Sequence, residues 1–252
     1  HCRFCLAGEQ QHCLDMWFWG SAMRFPHSQG AFRDHIVIEA FRCEPVGDAV
    51  SLGEAACCEP LSVALHAVRQ AGPLAGRRVL VTGAGPIGAL VVAAARQAGA
   101  LDVVSTDLHD GALAKATAMG ATAVVNVGDG VGLARDDFTA AKGFFDVAIE
   151  CTGAAPVLAS VLPVVRPRGT IVQVGVGGDV SLPIGTIVGK ELTLRGAFRF
   201  HEEFAVAARL LKEGRIDVKP IITGTLPLAE AVTAFEMASD RRAHSKVQSL
   251  FD

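Results

Sequence analysis

Apolar and helical segments alternate through the middle of the chain. Short runs rich in valine and isoleucine, bounded by turn residues, are typical of strands, and there are six of them: 79–82, 103–106, 123–126, 146–151, 170–174 and 192–197. Helical patterns lie between most of these runs, over 87–98, 111–119, 131–141 and 156–165. Strands that alternate with helices predict an α/β fold with a doubly wound parallel sheet.

The flanking segments have weaker patterns. Residues 35–40 alternate as a strand would, and residues 52–71 have a helical pattern that Pro60 interrupts. Towards the end of the chain, the pattern predicts helices over 203–213 and 228–239 and a final strand over 246–251.

The first strand leads into a glycine-rich turn. Gly83, Gly85 and Gly88 have the spacing G-x-G-x-x-G, and a helical pattern that contains Pro86 and Ile87 follows. Such glycines allow a sharp turn, close approach of the backbone to a pyrophosphate, and tight packing of helix on strand. The helix N-terminus adds free N–H groups and a positive dipole. The motif predicts a dinucleotide site, and the alternative is an ordinary strand–helix–strand unit.

Further positions at the strand ends support the dinucleotide site. Asp107 follows the motif by nineteen residues, where a carboxylate binds the ribose hydroxyls. This carboxylate would repel a 2′-phosphate, so NAD is expected rather than NADP. Ligands bind beyond the carboxyl ends of parallel strands, which brings Thr152, Val174, Gly175 and Val176 to the cofactor crevice.

Composition and charge exclude several classes of protein. The chain has 252 residues, 50% of them hydrophobic, and a net charge of -3 without a basic block, so we expect no nucleic-acid partner. No apolar run approaches the ~18 residues of a membrane span, so we expect no membrane association. Seven cysteines in a chain of this size fit metal ligands or free thiols in a reducing cytoplasm.

Three of these cysteines lie close together at the start of the chain. Cys2, Cys5 and Cys13 have spacing that could wrap a tetrahedral zinc ion, which needs four ligands. The fourth could precede His1, or His1 or His12 could supply it. The first residue is not methionine, which suggests a fragment or a processed product. The alternative is a solvated loop with free thiols.

A carboxylate precedes Pro60 in unusual surroundings. Glu59 lies beside Cys57, Cys58 and Leu61, and a carboxylate in apolar company is costly unless it is paired or binds metal. A solvent-facing acid in the first turn of a helix is an equally acceptable interpretation.

Three longer runs carry a family resemblance. These are Glu59 to His66, EPLSVALH; Gly20 to Phe32, GSAMRFPHSQGAF; and Gly196 to Phe204, GAFRFHEEF. With them the chain resembles the zinc-dependent medium-chain alcohol and polyol dehydrogenases over its whole length. The resemblance implies a Rossmann domain over 61–197 and part of a GroES-like β-rich catalytic domain. The catalytic domain would comprise residues 1–60, with a structural zinc lobe, and a C-terminal return over 198–252.

The resemblance also implies site residues. Cys2, Cys5 and Cys13 would bind the structural zinc, and Glu59 would serve a catalytic zinc whose other ligands are expected before His1.

In the same way, Arg199 would contact substrate and Phe198 the cofactor. Arg24 and, more weakly, His27 join Arg199 as candidates to bind a substrate carboxylate, which needs a cationic partner.

The implied activity is hydride transfer from a secondary alcohol of a sugar acid, such as L-idonate, to NAD. A neutral-polyol or threonine dehydrogenase and a non-catalytic nucleotide-binding protein are the alternatives. The family implies a homodimer or homotetramer. Because the expected zinc ligands lie before His1, we expect the chain as given to bind NAD weakly and to be inactive.

Overall fold

A six-stranded parallel sheet forms the centre of the structure, a computed structural model that describes residues 2–251. The strands are β1 Arg78–Thr82, β2 Asp102–Asp107, β3 Ala123–Asn126, β4 Phe145–Glu150, β5 Val165–Gln173 and β6 Thr193–Gly196. Their order across the sheet is β3-β2-β1-β4-β5-β6. All six predicted strands and the doubly wound parallel sheet are confirmed.

The middle strands are buried because helices cover both faces of the sheet. Every residue of β1 after Arg78 is buried, as expected for a parallel sheet covered on both faces. Thr82 at the end of β1 is in register with Thr106 of β2 and Glu150 of β4. The carboxyl ends of three neighbouring strands therefore meet at one edge, where the strand order reverses and ligands of this fold bind.

Ten α-helices accompany the strands in residues 2–251. They are α1 Arg3–Leu6, α2 Leu52–Ala55, α3 Cys58–Ala71, α4 Pro86–Gln97, α5 Asp110–Ala118, α6 Asp136–Thr139, α7 Ala155–Val161, α8 Ile184–Lys190, α9 Glu203–Lys212 and α10 Ala231–Ser239. One core joins α3, α4 and α9 to one face of the sheet, and a second core lies on the other face around Phe145 and Leu162. None of these helices is long and apolar enough to cross a membrane.

A small second sheet lies in the C-terminal segment. It pairs β7, Ile222–Pro227, with β8, Lys246–Leu250, in parallel. The predicted final strand and the helices α9 and α10 are confirmed. Outside the two sheets, the described residues form no strand.

Several local predictions were wrong. Residues 35–40 form no strand; the only regular element there is a 3₁₀ turn over Ala40–Arg42, since no neighbouring strand is present to share hydrogen bonds. Of the helix predicted over 131–141, only α6 is α-helical, and a 3₁₀ turn over Ala140–Lys142 follows it. Positive φ angles at Gly132, +61°, and at Ala141, +53°, interrupt the helix before and after α6.

Two other differences concern helices. The interruption of residues 52–71 falls at Ala56 and Cys57, and Pro60 lies in the first turn of α3, where its missing N–H costs nothing. Helix α8 was not predicted, since Gly185 and Gly189 give its sequence a low helix propensity.

Candidate cofactor and metal sites

The glycine-rich turn connects β1 to α4 at the carboxyl edge of the sheet. Gly83 has a φ of +84°, and its N–H donates to the Thr106 carbonyl at 2.8 Å. A Cβ built on Gly88 would lie 1.7 Å from the Gly83 carbonyl oxygen, so only glycine allows this approach of helix to strand. Nothing lies within 4 Å of a Cβ on Gly85. The space beside Gly85 is open, as close approach of a pyrophosphate to the backbone requires.

Asp107 ends β2 beside this turn. One carboxylate oxygen accepts from the Ala84 amide at 2.8 Å, and the other accepts from the His109 amide at 3.0 Å. Each oxygen of an ionised carboxylate accepts more than one hydrogen bond. The carboxylate is therefore oriented by the backbone and retains acceptor capacity for ribose hydroxyls.

A cleft of about 990 Å³ opens over these residues, the size of the larger ligand sites in proteins. Seven of the predicted cofactor residues line it: Gly83, Gly85, Pro86, Ile87, Gly88, Asp107 and Thr152. Lys115, His109, Arg241 and His244 line it too and were not predicted. His109 could have been inferred from its place next to the end of β2, whereas Arg241 and His244 arrive only through the tertiary fold.

A smaller pocket of about 310 Å³ continues the crevice along the ends of β4 and β5. Val174, Gly175 and Val176, which the sequence assigns to the cofactor crevice, line it together with Gly153. A Cβ on Gly175 would lie 2.0 Å from the Gly153 amide nitrogen. The two loops therefore touch through glycine backbone, which fixes the floor of this half of the crevice.

The three N-terminal cysteines come together. Their sulfurs lie within 4.8 Å of one another, and those of Cys2 and Cys5 are 3.7 Å apart. Tetrahedral zinc with bonds of about 2.3 Å places neighbouring sulfurs about 3.8 Å apart. Hydrogen bonds from the Leu14 amide and then the Cys5 amide lower the pKa of Cys2 to about 6, which favours the thiolate. Cys2, Cys5 and Cys13 therefore fit three positions of a zinc tetrahedron.

Glu59 stands apart from this cluster. Its side chain is exposed in the first turn of α3, next to buried Cys58 and Pro60. Within residues 2–251, the three cysteines form the only group of three or more potential ligands close enough to hold a metal ion. The described residues around Glu59 therefore do not form a metal site by themselves.

The loops around Arg199 and Met23 are in contact. The Arg199 guanidinium donates to the Met23 sulfur at 2.8 Å and lies 4.2 Å from the ring centre of Phe18 and 4.6 Å from that of Phe198. Phe198 in turn stacks on His12 of the cysteine lobe. The cysteine lobe, the predicted cofactor residue Phe198 and the predicted substrate residue Arg199 therefore form one contact chain.

The other two candidates for binding a carboxylate have different surroundings. Arg24 forms an ion pair with Asp15, a partner that the sequence pattern did not indicate. His27 meets the edge of the Phe25 ring at a centroid distance of 6.2 Å. Of the three candidates, Arg24 alone has an ion-pair partner among residues 2–251, so the charge of Arg199 is not neutralised by a neighbouring carboxylate there.

Comparison with known proteins agrees with this geometry. A family model described as "Zinc-binding dehydrogenase" matches residues 86–213. The chain is 39% identical to L-idonate 5-dehydrogenase (NAD(P)(+)) of Escherichia coli K12, over 100% of this chain and 73% of the relative. It is 34% identical to D-xylulose reductase A of Aspergillus niger, over 93% of this chain and 66% of the relative.

A solved structure shows the same similarity. The crystal structure of L-idonate 5-dehydrogenase from Escherichia coli K-12 superposes with a TM-score of 0.95, covering 100% of this chain and 72% of that chain. The chain thus spans about two thirds to three quarters of the length of these proteins.

The chain belongs to the zinc-binding dehydrogenases. This membership confirms the predicted family, the α/β fold and the oxidoreductase class. It also confirms zinc and a nicotinamide dinucleotide as the cofactors of the family.

Proposed function

We propose that this chain belongs to a dehydrogenase that oxidises the C5 hydroxyl of a sugar acid, L-idonate, to a ketone and transfers the hydride to NAD. The observation that carries the proposal is the glycine-lined cleft with Asp107 at its edge, in a chain that matches an L-idonate 5-dehydrogenase along its whole length. When bound, the dinucleotide accepts the hydride at its nicotinamide ring.

The glycine-rich turn and α4 would bind the cofactor phosphates. The open backbone at Gly85 and the N-terminus of α4 offer N–H groups and a positive dipole to the pyrophosphate. Asp107 would accept from the ribose hydroxyls and exclude a 2′-phosphate through its charge. Thr152, Val174, Gly175, Val176 and Phe198 would border the nicotinamide half.

Arg199 is the proposed partner of the substrate carboxylate. It forms no ion pair within the described chain, and its half-buried guanidinium lies over the Phe18 and Phe198 rings. Arginine's planar fork suits a carboxylate. Arg24 is a weaker candidate because Asp15 already pairs with it, and His27 remains a third.

The described residues support the proposed structural zinc site better than the proposed catalytic one. Cys2, Cys5 and Cys13 would hold a structural zinc, which stabilises the folded lobe. Glu59 is proposed to face a catalytic zinc of the complete enzyme. Since Glu59 belongs to no group of three potential metal ligands in residues 2–251, no step of the reaction is assigned to that metal.

A neutral-polyol dehydrogenase is the second candidate, because the D-xylulose reductases are nearly as similar to the chain. The complete protein should be assayed with L-idonate, xylitol, sorbitol and L-threonine. We expect kcat/KM for L-idonate to exceed the others at least about tenfold. A preference for xylitol or sorbitol would favour the second candidate, and cofactor binding without any turnover would favour a non-catalytic nucleotide-binding protein.

The variant Arg199→Ala, assayed with the same substrates, tests whether Arg199 binds the substrate carboxylate. Loss of a charged partner from a desolvated carboxylate costs about 2–5 kcal/mol, so L-idonate oxidation should fall far more than xylitol oxidation. Arg33→Ala is the matched control, since Arg33 is an exposed arginine over the Trp19 ring. Equal losses on both substrates would show that Arg199 does not bind the carboxylate.

The remaining assignments are also proposals. The proposed division is a catalytic segment over 1–60, a Rossmann domain over 61–197 and a C-terminal return over 198–252. The large sheet, 78–196, lies within the middle segment, whereas the boundary at residue 60 falls inside α3. A homodimer or homotetramer in the cytoplasm with a small-molecule substrate completes the proposed function.

A further inference from the structure

The chain buries a carboxylate that the proposed reaction does not yet use. Glu150 is the last residue of β4, and its exposure is 0%. It accepts hydrogen bonds from the amides of Thr152 at 2.7 Å and Gly153 at 3.0 Å, and from the side-chain amide of Gln173 at 2.6 Å. The hydroxyls of Thr152 and Thr82 donate to it as well.

All these partners are uncharged donors. Both carboxylate oxygens therefore act as acceptors, as they do in the ionised form. No lysine, arginine or histidine in the described chain pairs with Glu150. One unit of negative charge remains buried and is held in place by hydrogen bonds that do not cancel it.

This charge lies under the floor of the crevice. Glu150 is in register with Thr82 of β1 and Gln173 of β5. Thr82 and Thr152 line the large cleft, and Gln173 lines the smaller pocket. Strands β1 to β3 form one nucleotide-binding half of this fold and β4 to β6 the other. Since Asp107 marks the adenosine half, Glu150 lies beneath the nicotinamide half.

We propose that Glu150 is a positioning residue whose fixed negative charge favours the bound oxidised nicotinamide over the reduced one. The inference rests on the proposed dinucleotide binding. The oxidised ring carries a positive charge, which hydride uptake removes. A fixed charge acts strongly in an interior from which water is excluded, because little solvent is there to screen it. Glu150 therefore sets the relative affinity for the two cofactor forms.

A neighbouring group already responds to this charge. Burial, and after it the negative charge of Glu150, raises the pKa of the Cys151 thiol. Cys151 lines the same cleft, so Glu150 directly precedes a residue of the cleft wall.

The hydrogen bonds of Glu150 also connect strands β1, β4 and β5. A purely structural role of Glu150 therefore has to be separated from an electrostatic one. The ratio of the dissociation constants for NAD+ and NADH separates them. A loosened loop weakens both forms alike, whereas a removed charge weakens NAD+ alone.

Calorimetric titration of the full chain with NAD+ and with NADH tests the proposal. Glu150→Gln should raise the Kd of NAD+ relative to that of NADH by about tenfold. Gln173→Leu, which removes a hydrogen bond but keeps the charge, should leave the ratio unchanged. If Glu150→Gln does not fold, the double variant Glu150→Gln with Gln173→Leu is a second charge-free variant, in which the Gln173 side-chain amide no longer faces the new amide group.

The outcomes are distinct. An equal change of both dissociation constants in the charge-free variants would overturn the role of Glu150 and leave the proposed function intact. A wild-type chain that binds neither cofactor form would overturn the proposed function and this inference together.

Discussion

The nucleotide cleft and the N-terminal segment over residues 14–50 are built in different ways. In the cleft, backbone contacts set positions: Gly83 donates to Thr106, and Gly88 leaves no space for a methyl group. In residues 14–50, side chains lie on the surface, with Phe25 95% and Val37 94% exposed. The geometry of a site formed by backbone contacts is set by a few neighbouring residues. The geometry of a site formed by surface side chains is set by the other parts of the protein that pack over those side chains.

The largest expected effect lies in the glycine turn. Gly88→Ala places a Cβ 1.7 Å from the Gly83 carbonyl oxygen, so backbone must move. We expect the free energy of unfolding to fall by about 4 kcal/mol and NAD binding to disappear. Gly85→Ala is the matched control from the same turn. Its Cβ meets no atom within 4 Å, so stability should hold while NAD affinity falls.

Urea denaturation and NAD titration of the two variants measure these effects. A Gly88→Ala protein with wild-type stability would show that the turn is less constrained than its backbone contacts indicate.

The second-largest expected effect is the loss of the zinc ion from the N-terminal cysteine cluster. In the complete protein, Cys5→Ser should remove one zinc ion per chain and lower the free energy of unfolding by about 3 kcal/mol, because a closed zinc site stabilises the fold around it. Cys43→Ser is the control, since Cys43 is exposed and lies outside the cysteine cluster. Metal analysis with thermal denaturation reports both quantities, and an unchanged zinc content would contradict the structural site.

The same comparison explains what the sequence could predict. The strands, the glycine turn and Asp107 are local patterns, and each occupies the expected place in the fold. The failures lie where tertiary contacts decide. The alternating pattern over 35–40 forms no strand, and Arg241 reaches the cleft from a segment more than a hundred residues away.

The sequence also could not predict which charged side chains of the site have a partner. The Arg24–Asp15 ion pair and the contact of Arg199 with Met23 both arise from the way irregular loops pack. Glu150 has no sequence signal either, because a glutamate at the end of a strand is normally exposed.

A buried pair between two helices of one core gives stability a pH dependence. His66 of α3 contacts Glu203 of α9 at 2.9 Å, and Glu203 is 6% exposed. Burial opposes ionisation of Glu203, but hydrogen bonds from the His201 amide and His66 outweigh it and lower the pKa of the carboxyl to about 2. The stability from this lowered pKa is present above the unfolded pKa of about 4.3 and is lost as pH falls towards 2.

Glu203→Gln removes this dependence. Between pH 4.5 and 2, the wild type should lose about 2 kcal/mol more stability than the variant. Glu202→Gln is the control, because the Glu202 carboxylate is exposed and pairs only with exposed Arg69 in the described chain. Denaturant titration at several pH values measures the loss of stability. If the wild type and Glu203→Gln lose the same stability in acid, the pair does not contribute as expected.

The smallest expected effect is on the choice of cofactor and concerns Asp107. Backbone amides orient this side chain, and its charge is expected to discriminate between the cofactors. The wild type should prefer NAD to NADP in kcat/KM, because the carboxylate repels a 2′-phosphate. Asp107→Asn removes the charge but keeps one oxygen acceptor for the Ala84 or His109 amide, and Asp107→Ser replaces both carboxylate oxygens by one hydroxyl on a shorter side chain. Lys115 and Arg241 line the same cleft and would then attract the phosphate. The preference should narrow by about tenfold in both variants, with weaker binding of either cofactor in Asp107→Ser alone. Equal use of NADP by the wild type would show that those cations already outweigh the carboxylate.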